Sequence, residues 1–263
     1  MTVWLRDTYL RLDSVLPSIT VFSGHSAEDR EWYSRRLDRR RMGSAHRGVR
    51  AAQMRVGRQR PPRRDVVALP TLSRYTWLTW LAIGGAYLLD RRVPALGPVD
   101  FAFPATMNAI QPAGTPMACL PDDPAAGRAG ALVLPHGAAL RRHLREVAGA
   151  HLDEVFKACR GLVGRGMPVL WAMATDQATA ALWRVGRSSR GDTWAADAAI
   201  GVLPGVTPPF VGEGRFERAS TGGGPVRRRQ TCCRYLTMGG QACACCPRCA
   251  QGRPIRQPVR GSG

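Results

Sequence analysis

The sequence predicts an α+β fold, predominantly helical, with a small central antiparallel sheet and a cysteine-rich C-terminal tail. Three observations predict it. Segments 71–89, 136–163 and 168–187 carry apolar residues at helical spacing. Between 93 and 135, short apolar runs alternate with Pro, Gly and Asp, the punctuation of strands and turns. Six of the eight cysteines fall within the 18 residues from Cys232 to Cys249.

A chain of 263 residues is long enough for a sizeable core, in one large domain or two small ones. Its hydrophobic fraction of 44% and mean hydropathy of −0.19 suit a water-soluble globular protein. Thirty-eight basic residues against 19 acidic ones leave a net charge of +19, and Lys157 is the single lysine. The preference for Arg, Ala, Gly and Pro resembles a GC-rich coding bias, so part of this charge reflects codon usage rather than a partner. A basic surface still attracts anions such as acidic redox proteins, anionic chelates or nucleic acid. Nucleic acid is the least favoured of these, because Lys is nearly absent and aromatics hardly interleave with the arginines.

Residues 1–10 lack the charged-then-apolar pattern of a secretion signal. The longest apolar run, 75–89, is shorter than the roughly 20 residues that span a bilayer. No integral membrane segment is therefore expected, and the expected compartment is the cytoplasm. Thiols stay reduced there, so clustered cysteines bind metal more often than they form disulfides.

In chain order, residues 1–66 read as a weakly amphipathic start and an arginine-dense, partly flexible segment, with 13 arginines from Arg30 to Arg64. A solvated face and linker is the plain reading of that stretch; a docking surface for an acidic partner is the other. Residues 67–226 read as an α+β domain. Its first helix, 71–89, places Trp77, Leu81 and Leu88 on a broad apolar face. Gly84 and Gly85 each weaken a helix interior by roughly 1 kcal/mol, which points to close packing there. Strands are expected at 99–103, 117–120 and 131–134. A second helix, 136–163, carries Leu140, Leu144, Val147, Leu152, Val155, Phe156 and Leu162; a third, 168–187, opens on Pro168 and ends near Gly186. Residues 197–226, with Gly222-Gly223-Gly224, read as a Gly/Pro-rich connection. Residues 227–250 hold the cysteine motif, and 251–263 read as a disordered tail.

Cys119 and Cys159 sit in apolar contexts as core residues. The other six form an adjacent pair, Cys232-Cys233, and a denser group, Cys243, Cys245, Cys246 and Cys249, separated by the turn Gly239-Gly240. Thiolates are soft ligands, and a 2Fe–2S cluster takes two on each iron. A flexible turn lets two pairs meet. Arg227, Arg228, Arg229 and Arg234 favour the anionic sulfur that binds metal and the more negative, reduced cluster. Zinc is the alternative: Cys243, Cys246 and Cys249 have the spacing of a zinc knuckle, although the first pair is adjacent and no histidine lies in the tail.

These residues resemble the FhuF-like ferric iron reductases. That family's C-terminal signature is two adjacent cysteines, ten residues, a cysteine, two residues and a fourth cysteine around a 2Fe–2S cluster. Arg228-Arg229-Gln230-Thr231-Cys232-Cys233-Arg234-Tyr235-Leu236 followed by Gly239-Gly240 resembles the family's basic, aromatic and Gly-rich surroundings. The helix from Val169-Leu170-Trp171-Ala172 through Asp176 to Ala181-Leu182-Trp183 is similar to the one preceding its motif. The likeness spans about residues 70–250 and is strong over the tail. Here Cys233 and Cys243 enclose nine residues, one fewer than in the family. Anchoring on the glycines, the resemblance implies Cys232, Cys233, Cys243 and Cys246 as cluster ligands, with Cys245 and Cys249 as alternates.

The resemblance further implies an oxidoreductase that passes one electron from a 2Fe–2S cluster to a ferric siderophore, releasing iron as Fe(II). The electron comes from an external donor such as a ferredoxin or flavin reductase. No nucleotide site is read, because Gly161, Gly164 and Gly166 follow a helix rather than a strand. No catalytic group beyond the cluster is needed. His136, His143 and His151 invite attention as iron or substrate contacts, although isolated helix histidines are usually structural. Asp176, in an apolar helix, reads as a buried hydrogen-bonding group. A zinc-stabilised, arginine-rich binding protein and a FhuF-like scaffold serving a biosynthetic redox step remain the other readings.

Overall fold

The computed structural model describes residues 3–16, 19–21, 32–33, 64–104, 109–112, 116–205, 207–218, 224–232, 234, 245 and 247. Five α-helices are described: α1 (Val3–Val15), α2 (Arg64–Asp90), α3 (Gly137–Val163), α4 (Met167–Arg190) and α5 (Asp192–Val202). Nine short strands accompany them: β1 (Thr20–Val21), β2 (Trp32–Tyr33), β3 (Val93–Pro94), β4 (Phe101–Pro104), β5 (Ala109–Pro112), β6 (Met117–Cys119), β7 (Ala131–Val133), β8 (Arg215–Arg218) and β9 (Pro225–Arg228).

Helix α2 is the centre of the core. It is apolar nearly all round, the pattern of a helix buried on every side, and Tyr75, Leu78, Trp80, Leu81 and Ile83 are fully buried in it. Each such side chain contributes about 1.5–3 kcal/mol of burial. Its two glycines are points of close approach. A Cβ on Gly84 would lie 2.9 Å from Leu182 Cδ2 of α4, and one on Gly85 would lie 2.8 Å from Leu12 Cδ1 of α1. The helix starts seven residues before the expected Thr71 and runs through Pro70. An interior proline costs about 3 kcal/mol; buried Val66, Ala68 and Leu69 offset that cost by packing the first two turns onto the core.

Helix α1 belongs to the same core, with Leu5, Tyr9 and Leu12 fully buried. Thr8 and Arg11 both reach the carboxylate of Asp90 at the end of α2. Arg92 completes the joint. It donates Nη1 to Trp4 O at 2.7 Å and grips Asp123 through Nε (2.8 Å) and Nη2 (3.0 Å). Burial opposes the charge on Asp123, but hydrogen bonds from Arg92 and the Ala125 N–H outweigh it and leave the carboxyl below its usual range.

Helix α3 forms within one residue of its expected bounds because both ends are set locally. The His136 Nδ1 accepts the Ala139 N–H at 3.2 Å, and Gly164 closes the helix at φ 57°, where a glycine has no steric penalty. Helix α4 is capped by Gly166 and has Pro168 in its first turn, but continues past Gly186 to Arg190. Gly186 is there for packing: a Cβ would stand 2.8 Å from Ala195 Cβ. That contact exposes a correction, since residues 192–202 form helix α5, whereas the sequence suggested an irregular connection from 197. The segment is short and alanine-rich, and tertiary contact with α4 decides its state.

The expectation of one small central antiparallel sheet is corrected as well. Among the described residues, three small sheets flank the helices. In the first, ordered β1-β5-β4-β2, β1 pairs with β5 in parallel and the other pairings are antiparallel. In the second, β3-β6-β7, β6 and β7 are parallel, with Met117 opposite Ala131. Strands β8 and β9 form an antiparallel hairpin with Arg215 opposite Arg228. Phe101 and Phe103 of β4 meet the Tyr75 ring edge-on at 5.6 and 5.3 Å, which seats the first sheet on α2. Among the described residues, no helix is long and apolar enough to cross a membrane.

Candidate functional site

The cysteine tail begins where the β8–β9 hairpin meets α4, and Asp176 sets that junction. The residue is 2% exposed, between Thr175 and Thr179, which turn their hydroxyls back onto carbonyls of the same helix. Its carboxylate faces the segment after β9. Oδ1 accepts the Gln230 N–H at 2.8 Å, and Oδ2 accepts the Thr231 N–H at 2.8 Å and the Thr231 hydroxyl at 2.5 Å. Arg229 Nε lies 3.8 Å from Oδ2. A buried carboxylate needs such donors, because desolvation without them costs several kcal/mol. The sequence reading of Asp176 as a buried hydrogen-bonding group matches this geometry; its partners lie more than fifty residues away.

Two further links hold the tail. Arg227 donates Nη1 to the backbone carbonyl of Asp176 at 3.3 Å and Nη2 to Cys245 Sγ at 3.3 Å. Arg234 has a left-handed backbone (φ 59°), which turns its N–H toward Cys232 Sγ at 3.4 Å. Its guanidinium reaches Asp65 Oδ2 at 2.5 Å, tying the tail to the first turn of α2. The tail is thus fastened to α4 by Asp176 and to α2 by Asp65.

Of the expected ligands, Cys232 is half-buried and described, and so is the alternate Cys245. Cys233, Cys243, Cys246 and Cys249 lie outside the described residues, as do Gly239, Gly240, and segments 34–63 and 251–263. Among the described residues, no three of His, Cys, Asp and Glu gather as a metal set. What surrounds the two described sulfurs does fit a thiolate-bound metal group. A backbone N–H points at one and a guanidinium at the other, hydrogen bonds of the kind that would tune a metal-bound sulfur.

Beside Cys232 lies an open cavity of about 670 Å³. Leu69 of α2 and Pro168, Val169, Ala172 and Met173 of α4 give it an apolar wall, Gln230 and Thr231 line the tail side, and Arg165 and Arg234 add charge. The size falls in the range of small-molecule sites, about 300–1,000 Å³. Asp65 and Arg165 were not singled out from sequence. Arg165 does carry a local signal, standing between two glycines immediately ahead of a proline-started helix.

Each of the three sequence-flagged histidines meets a group within the fold. His136 caps α3, and His143 Nδ1 stands 3.7 Å from Glu146 on the same helix. His151 is buried, with Nδ1 at 2.9 Å from Leu96 O and Nε2 at 2.7 Å from Tyr75 Oη. A carbonyl only accepts, so Nδ1 carries the proton and Tyr75 donates to Nε2. Cys119 and Cys159 are fully buried core residues, as their apolar contexts suggest. Comparison with protein-family models, curated proteins and solved structures finds no match to this chain.

Proposed function

We propose that this chain is a ferric siderophore reductase. It holds a 2Fe–2S cluster on Cys232, Cys233, Cys243 and Cys246, with Cys245 and Cys249 as alternates. The observation that carries the reading is the arrangement around Cys232: a tail sulfur with a directed N–H donor opens onto an arginine-bearing cavity the size of a small-molecule site. Bound there, the cluster would supply a one-electron couple.

The chain's own residues do the rest. Asp176 and Asp65 fix the tail, so that the sulfur at Cys232 keeps its place against the cavity. Arg227 and the Arg234 N–H direct positive charge at sulfur, which favours the more negative reduced state and raises the potential. Leu69, Val169 and Met173 shed water from a bulky ligand, and Arg165 and Arg234 attract its negative groups. One electron from an external donor, a ferredoxin or flavin reductase, balances the reduction of one Fe(III) in the chelate to Fe(II). Hydroxamate and catecholate oxygens are hard ligands that hold Fe(II) far more weakly, so reduction alone releases the metal. The setting is the cytoplasm, where thiols and Fe(II) both persist.

The test is anaerobic single-turnover mixing of the dithionite-reduced, desalted protein with ferric chelates, while Fe(II) is trapped by a chromogenic chelator. About one Fe(II) released per reduced centre, in step with recovery of the oxidised absorption, is the expected result. A reduced centre that transfers no electron to any hydroxamate or catecholate chelate overturns the reductase reading and favours a biosynthetic redox role for the same cluster.

A further inference from the structure

The cavity beside Cys232 has a one-sided charge. Arg165 and Arg234 line it and no carboxylate does among the described residues. The Arg234 guanidinium is compensated by Asp65, but Arg165 has no acidic partner among the described residues. It is half-buried in the short loop between α3 and α4, so its charge is less screened than a fully exposed one. The first residues of α4 form the adjoining wall, placing the positive end of a 24-residue helix beside Arg165. The opposite requirement, an apolar body, comes from Leu69, Val169, Ala172 and Met173.

From this we infer that the cavity is the substrate site and that it selects ferric chelates of net negative charge over neutral ones. The inference rests on the reductase reading for the identity of the ligand and on the cavity alone for its charge. Three catecholate dianions around Fe(III) leave a trianion, whereas three hydroxamate monoanions leave a neutral complex. Both are bulky, with apolar faces that suit the wall. Only the first gains from Arg165 and the α4 terminus, and with a net charge of +19 the whole chain draws it in.

Gallium(III) chelates separate binding from electron transfer, because Ga(III) matches Fe(III) in charge and size but is not reduced under these conditions. The full chain is titrated calorimetrically with a gallium tricatecholate and a gallium trihydroxamate. The tricatecholate should bind at least about 10-fold more tightly, the effect of one well-placed charge contact. Arg165→Gln should remove most of that preference and Arg165→Lys should restore much of it. Val169→Asp gives a second reading. Position 169 is exposed and in the first turn of α4, where an acid suits the helix, so the variant folds while opposing an anion in the cavity.

Equal affinity for the two chelates, or a preference unchanged by both Arg165→Gln and Val169→Asp, overturns the inference. The two proposals fail separately. Charge selection that depends on Arg165 in a protein lacking iron and sulfide supports the anion site and removes the reductase. Reduction of neutral and anionic chelates at rates indifferent to Arg165→Gln keeps the reductase and removes the site.

Discussion

Thr231 donates both its backbone N–H and its hydroxyl to Oδ2 of Asp176, at 2.8 and 2.5 Å, one residue before Cys232. The same carboxylate takes the Gln230 N–H on its other oxygen, so a single buried side chain of α4 holds residues 230 and 231 just ahead of Cys232. Asp176→Asn turns one accepting oxygen into a donor that faces an N–H. The expected outcome is a loss of about 2–4 kcal/mol in urea unfolding and a larger loss of bound iron per chain. Unchanged iron content in this variant contradicts the assignment of Asp176 as the tail's anchor.

Arg227 touches Cys245 Sγ with one guanidinium nitrogen and the Asp176 carbonyl with the other. Arg227→Gln keeps a donor of reduced reach and removes the charge. A spectroelectrochemical titration should give a midpoint potential lower by tens of millivolts, because the reduced centre carries the extra negative charge. An identical potential excludes any electrostatic role for this arginine.

His151 makes stability pH-dependent. Burial, the largest influence, pushes its pKa from the ordinary 6.5 to about 4, against the opposing hydrogen bond to Leu96. The native state therefore keeps the ring neutral in a range where the unfolded chain protonates it. The contribution is complete above pH 6.5 and disappears as pH falls toward about 4. Its size is on the order of 3 kcal/mol. Unfolding free energies compared between about pH 7 and about pH 4.5 should show this decline, and His151→Gln should flatten it. Equal acid sensitivity of the native chain and the His151→Gln variant refutes the assignment.

Glycines in the helix interiors separate packing from propensity. At Gly84 the nearest atom to an added Cβ is the flexible end of Leu182; at Gly186 it is Ala195, with both Cβ and Cα within 3.0 Å. Alanine gains about 1 kcal/mol of helix propensity at either site. Gly84→Ala, which must also move Trp80 Cε3 at 3.1 Å, should lose less than about 1 kcal/mol, whereas Gly186→Ala should lose about 1–3 kcal/mol by forcing α5 from α4. Thermal melts of the two variants decide it, and the reverse order contradicts the packing described.

The features legible in the sequence are the ones set locally. His136 and Gly164 bound α3 through their own cap geometry, and the apolar sides of α2 and α4 show in their spacing. Gly84 and Gly85 were readable as packing sites because two glycines in a strong helix have few other uses. What needs the assembled fold was not readable. Helix α5 is stabilised through Ala195 against Gly186 rather than by a periodic face. The parallel pairing of β6 with β7 depends on how residues 120–130 cross between them. At the site, Asp176 was visible as a polar residue in an apolar helix, but Asp65 and Arg165 gain meaning only when Arg234 and Cys232 are brought beside them.

We propose that the cysteine tail binds an iron–sulfur centre. Its most direct test is an anaerobic absorption spectrum of the full chain with iron, sulfide and zinc analysis, repeated on Cys232→Ser. A red-brown protein with about two iron and two sulfide per chain, depleted in the variant, is the predicted result. A colourless protein carrying zinc without sulfide contradicts it, and the cysteine tail is then a structural clasp.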